Sequence, residues 1–184
     1  MNKPNGYETV AATLSFEPLE LGGHVCIVKG VEETFSKSGN EMLKIALDIG
    51  DGDKQAGYYT NRFKNDDRPN KKWPCVSYVV TTGKDGNCSK GLARFVKAIE
   101  ESNPGLKFPW DNVSLLKGKK VGGIFGFEEY KGSDDKIHKA VKLFFFCAAD
   151  KAKDAAIPKT KEYKPSASDP ANQWADISAA DIPF

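Results

Sequence analysis

Residues 42–49 alternate without interruption, with Leu43, Ile45, Leu47 and Ile49 on one side of an extended chain and Met42, Lys44, Ala46 and Asp48 on the other. A period of two marks a strand with one face against a core, and such a strand needs neighbours patterned to match. The preceding segment supplies one. Residues 24–33 form a β-branched, apolar run in which Gly30 reads as a bulge, and Ser36-Lys37-Ser38-Gly39-Asn40 is a turn, so the first two strands make a hairpin.

Beyond the turn Asp51-Gly52-Asp53, residues 58–63 read as the start of a third strand, which the polar insertion 64–72 interrupts and residues 75–82 resume. The period then changes. Leu92, Phe95, Val96 and Ile99 recur at helical spacing between Ser89, a cap residue, and the stop Asn103-Pro104-Gly105. Residues 110–116 add a short helical turn, and 120–130 and 136–148 read as two more strands joined by Lys131-Gly132-Ser133-Asp134-Asp135. This order is the connectivity of the OB-fold, so the expected class is mainly β: a five-stranded Greek-key barrel with one helix between strands 3 and 4. With 184 residues, 40% of them hydrophobic, the chain has material for one such core and an appendage. We assign residues 22–148 to the barrel and residues 1–21 to an N-terminal arm. Residues 149–184, where Pro158, Pro165 and Pro170 break any apolar face, are expected to form a flexible tail.

No nucleophile beside a base, carboxylate pair or phosphate-cradling loop is legible, which argues against an enzyme. Gly122-Gly123-Ile124-Phe125-Gly126 is glycine-rich but lacks the following Lys-Ser or Lys-Thr of a nucleotide loop and falls in a strand. Cys26, Cys75, Cys88 and Cys147 are irregularly spaced, with only His24 and His138 to join them, so neither a metal site nor a cofactor is expected. No apolar run approaches the roughly 20 residues of a membrane span, which predicts a soluble intracellular protein.

What remains is the pattern for single-stranded nucleic acid, flat rings interleaved with cations. Tyr58, Tyr59, Phe63, Trp73 and Tyr78 lie among Arg62, Lys64, Arg68, Lys71 and Lys72. In a strand Tyr58 and Tyr59 face opposite ways, so at most one serves a groove, and Tyr59 is the candidate. Trp73, between Lys72 and Pro74 in a polar segment, is the leading stacking residue. In the last strand Lys142, Phe144 and Phe146 share a side with His138, opposite Val141, Leu143, Phe145 and Cys147, which makes Lys142 and Phe144 a second set. Lys37 in the first turn and Lys44 on the polar side of the second strand are candidate phosphate contacts.

The carboxy-terminal end carries a separate signal. Residues 165–184 contain Asp169, Asp176 and Asp181 and no Lys or Arg, so the net charge of +2 averages a basic body and an acidic tail. The tip Asp181-Ile182-Pro183-Phe184 reads as a ligand: Phe184 is an anchor beside its own carboxylate, Pro183 stiffens the backbone, and Asp176 and Asp181 suit a basic rim. This ending resembles the tip of bacterial-type single-stranded-DNA-binding proteins. Lys37-Ser38-Gly39-Asn40-Glu41-Met42-Leu43, Ala98-Ile99-Glu100-Glu101-Ser102-Asn103-Pro104-Gly105 and Leu116-Lys117-Gly118-Lys119-Lys120-Val121-Gly122-Gly123 are similar to segments of a phage and prophage family of such proteins. The resemblance implies an OB-fold body that coats single-stranded DNA in phage replication, recombination and repair, in the cytoplasm of an infected or lysogenic bacterial host. It also implies a tail in which Asp176, Asp181, Ile182, Pro183 and Phe184 recruit replication or recombination proteins. The tail departs from the bacterial pattern in lacking a dense acidic run before the tip. The alternative is a protein-interaction or recombination accessory module that uses the same barrel without touching DNA, and either reading admits a homo-oligomer.

Overall fold

The computed structural model describes Asn5 and residues 17–164; Asp176, Asp181, Ile182, Pro183 and Phe184 lie outside the described residues, as does most of the expected arm. Five strands, β1 (Gly22–Phe35), β2 (Glu41–Ile49), β3 (Val76–Val80), β4 (Lys120–Lys131) and β5 (Ile137–Cys147), form one antiparallel sheet in the order β3-β2-β1-β4-β5. Three helices accompany it: α1 (Tyr58–Lys64), α2 (Lys90–Ser102) and α3 (Ala149–Ala152), with a 3-10 turn at Val113–Leu116. The fold is mainly β, with β3 and β5 at the edges of an open sheet.

The strongest sequence patterns are realised as expected. Leu43, Ile45, Leu47 and Ile49 are all buried. The register of β1 against β2 slips between Val28 and Gly30, the bulge that Gly30 suggested. Helix α2 starts where the Ser89 hydroxyl accepts the Leu92 N–H at 3.0 Å, and it buries Leu92, Phe95, Ala98 and Ile99. At its far end the Asn103 side-chain amide donates to the carbonyls of Ile99 and Lys120, both at 2.7 Å, which ties the helix to β4.

Two expectations are overturned. Residues 58–63 are helix, not strand, and the third strand is β3 alone. Gly57 turns the chain at a φ of 72°, and the Asp48 carboxylate, on the supposed polar side of β2, is buried over the start of α1. It accepts the N–H of Tyr59 at 2.9 Å and of Thr60 at 3.3 Å, and also takes the Thr60 hydroxyl. The cap therefore comes from a different element, and it outweighs the strand propensity of Tyr-Tyr-Thr.

The second correction concerns residues 149–164, which pack on the body. Helix α3 docks on β1 with Ala152 buried, at a spot where any side chain on Gly23 would collide with the Ala152 carbonyl. Residues 157–163 then lie as a strap along the part of β4 that extends past Gly22, the start of β1. Lys161 donates its N–H to the Phe127 carbonyl and accepts that of Glu129, each at 2.9 Å, while its ammonium pairs with Glu128 at 2.9 Å. Among the described residues no helix is long and apolar enough to cross a membrane.

Candidate nucleic-acid interface

Helix α1 and the segment that follows it form a cleft of about 620 Å3, lined by Arg62, Asp66, Arg68, Pro69, Asn70, Lys72, Trp73 and Pro74. Trp73, the leading stacking candidate, is half-buried and packs against the core. Its indole N–H donates to the Leu47 carbonyl at 2.7 Å, which satisfies the ring's one polar atom and fixes its edge to β2. Phe63 lies 5.4 Å away between centroids. The Lys29 ammonium sits 5.8 Å from the Trp73 ring and the Lys71 ammonium 4.7 Å from the Phe63 ring, so both rings carry a cation.

The charges of this cleft are uneven. Arg68 is forked onto Asp66, with Nη2 to Oδ2 at 2.6 Å and Nε to Oδ1 at 2.8 Å, and these hydrogen bonds pull the Asp66 carboxyl down to about 2. Arg62 and Lys72 are exposed, and among the described residues no carboxylate forms a salt bridge with them or with Lys64. Lys64 closes α1 but does not line the cleft.

Tyr59 has no part in the cleft surface. It is 5% exposed, edge-on to Tyr58 at 5.0 Å and 6.4 Å from Phe125, and burial raises its phenol pKa far above the usual value. Burial likewise pushes the neighbouring Cys75 thiol up to about 12. Tyr58 is also tied inward, its hydroxyl accepting the Leu19 N–H at 3.1 Å. The helix of α1 thus replaces the choice between two opposed faces with two packed rings.

The second set is rearranged by a slip in the β4–β5 register, where Ile124 faces Phe145 but Phe125 faces Leu143. Phe144 is the extra residue, and alternation reverses on either side of it. Phe146, expected on the binding side, is 7% exposed and packs 4.8 Å from Phe95. Phe145, expected in the core, instead carries the Arg94 guanidinium at 4.9 Å. Phe144 lies over Gly126 together with Pro158 of the strap. Lys142 is half-buried, and its pKa is lowered by burial and, to a smaller extent, by Arg62, against the opposing pull of Glu128.

The remaining predicted contacts lie on β1–β2. Lys37 is exposed in the turn, and Lys44 donates to Glu32 at 3.0 Å. Two residues with a place in this region escaped the sequence reading: Asp48 was hidden by its alternation and Lys29 by its position beside Gly30 in the bulge. Among the described residues no group of three or more His, Cys, Asp and Glu is placed to hold a metal ion.

A separate groove of about 410 Å3 lies on α2, lined by Cys88, Ala93, Val96, Lys97, Glu100, Glu101 and Trp110. Trp110 is 62% exposed and backed by Phe108 at 4.5 Å. No protein-family model and no curated protein matches this sequence.

Proposed function

We propose that this chain binds single-stranded DNA without reading its sequence, as a coating protein of phage replication and recombination rather than an enzyme. The observation that carries the reading is the Trp73 cleft. A ring held by its N–H offers a base a face that needs no reordering, and Arg62 and Lys72 stand beside it for the phosphates. The order β3-β2-β1-β4-β5, with α2 between β3 and β4, supports an OB-like Greek-key body, whose β2–β3 side is where such folds take oligonucleotides. The tip residues Asp176, Asp181, Ile182, Pro183 and Phe184 belong to the same proposal as the segment that recruits replication or recombination proteins.

The test is fluorescence anisotropy of a labelled oligo(dT) titrated with the full chain over a range of salt. Saturable binding is expected, with the logarithm of affinity falling against the logarithm of salt by about 0.7 per phosphate contacted, and a mixed sequence of equal length should bind alike. A flat salt response or no saturable binding overturns the reading. A protein-interaction module is the second reading, favoured by exposed Trp110 beside the groove on α2. It predicts that Trp110→Ala abolishes partner capture in a chain that has no affinity for oligo(dT).

A further inference from the structure

The binding track does not stop at the cleft. Lys29 is the extra residue of the β1 bulge and reaches back over Trp73, and beside it Gly30 leaves open space, with nothing within 4 Å of where a side chain would begin. Gly30 stands opposite Ala46, a short residue, so the sheet surface is low at this point. One step further along the strands, the registers set Glu32 opposite Lys44 and Lys44 opposite Tyr78, a row across β1, β2 and β3. Tyr78 is 52% exposed, and Lys44 Nζ is 3.0 Å from Glu32 Oε2.

We propose that Glu32 is a built-in competitor for the DNA strand: it occupies Lys44 in the free protein, a backbone phosphate displaces it, and Tyr78 beside the pair is the surface on which the adjoining base stacks. This rests on the single-strand-binding reading above and extends it from the cleft onto the outer side of the sheet. The Glu32–Lys44 pair is solvent-exposed, and exposed ion pairs are weak enough for a phosphate to exchange into. The exchange leaves Glu32 as a free carboxylate next to a polyanion. That charge draws a cation from solution and so offsets part of the counterion release that drives binding. Glu32 thereby sets both how tightly and how salt-sensitively this row engages.

The measurement is oligo(dT) anisotropy across salt for the full chain, Glu32→Gln, Lys44→Ala and the double variant. Glu32→Gln should tighten binding about two- to fivefold at low salt and steepen the logarithmic slope by about 0.7, one phosphate contact. Lys44→Ala should weaken binding by a similar factor, and in its background Glu32→Gln should gain nothing. Tyr78→Ala should weaken binding while Tyr78→Phe preserves it. A Glu32→Gln gain that persists without Lys44 would mean a general effect of net charge and overturns the proposal, as does a Glu32→Gln variant that binds like wild type. If the wild-type chain binds no oligo(dT), the reading of the previous subsection falls and this one with it; if wild type binds and the cycle is flat, only the competitor role falls. Equal melting temperatures of wild type and all five variants confirm that folding is not the variable.

Discussion

The cleft at Trp73 and the ribbon of β4 and β5 carry similar chemistry, aromatic rings with cations beside them, yet they differ in what holds the rings. In the cleft the Trp73 indole is anchored by its N–H to Leu47 and carries Lys29 at 5.8 Å, and Arg62 and Lys72 are exposed at the rim. On the ribbon Phe144 shares its site with Pro158 of the strap, Phe145 carries Arg94, and Lys142 is half-buried in the field of Glu128. A stacking platform needs a ring whose edge is fixed and, beside it, a cation with no carboxylate partner. By that criterion the contacts rank the cleft ahead of the ribbon.

The largest effect expected to break or sharpen this contrast is at Trp73. Trp73→Ala should cost about 1–3 kcal/mol of oligo(dT) affinity, whereas Trp73→Phe should keep most of the affinity but lose about 1 kcal/mol of stability, because the Leu47 carbonyl loses its donor. Denaturant melts read beside anisotropy separate the two quantities, and equal affinity losses in both variants would argue against stacking. Next comes Asp48→Ala, which uncaps α1. It should destabilise the fold by about 1–2 kcal/mol, or roughly 2–4 °C of Tm for each kcal/mol, and weaken binding through the displaced Arg62. Differential scanning calorimetry checks the first part, and an unchanged affinity would separate α1 from the interface. The smallest effect is expected on the ribbon: Phe144→Ala should change affinity by less than about twofold. A loss as large as that of Trp73→Ala would reverse the ranking.

How much of this was legible in the sequence depended on whether the cause was local. The Ser89 cap, the apolar stripe of α2 and the buried face of β2 are decided by neighbours in the chain, and each appears as its pattern indicated. Helix α1 depends on Asp48, eleven and twelve positions upstream of the amides it caps, and no window over residues 58–63 contains that information. The reversal of Phe145 and Phe146 comes from a pairing slip, a property of β4 and β5 jointly, so alternation read along β5 alone assigns both rings to the wrong side. The docking of residues 149–164 depends on space left at Gly23 in another strand, which composition reads only as polar and proline-broken chain. In the candidate site the residue types were visible but their engagement was not. Lys44 and Arg68 look like free cations in the sequence, and each has a carboxylate partner in the fold.

The strap also has a mechanical consequence. A load applied to the chain beyond Lys164 reaches the body through residues 157–163, which are fastened by the two main-chain hydrogen bonds of Lys161, its ion pair with Glu128, and the Tyr163 N–H to the Glu129 carboxylate at 3.3 Å. These lie at the margin of the sheet and can part without disturbing the pairing of β1 with β2 or β4. Peeling them frees about 20 Å of extra chain at 3.3 Å per residue before force arrives at α3 and the Gly23 contact. The segment would act as a fuse with slack behind it, so that a pull on the chain beyond Lys164 lengthens this segment before it strains the sheet.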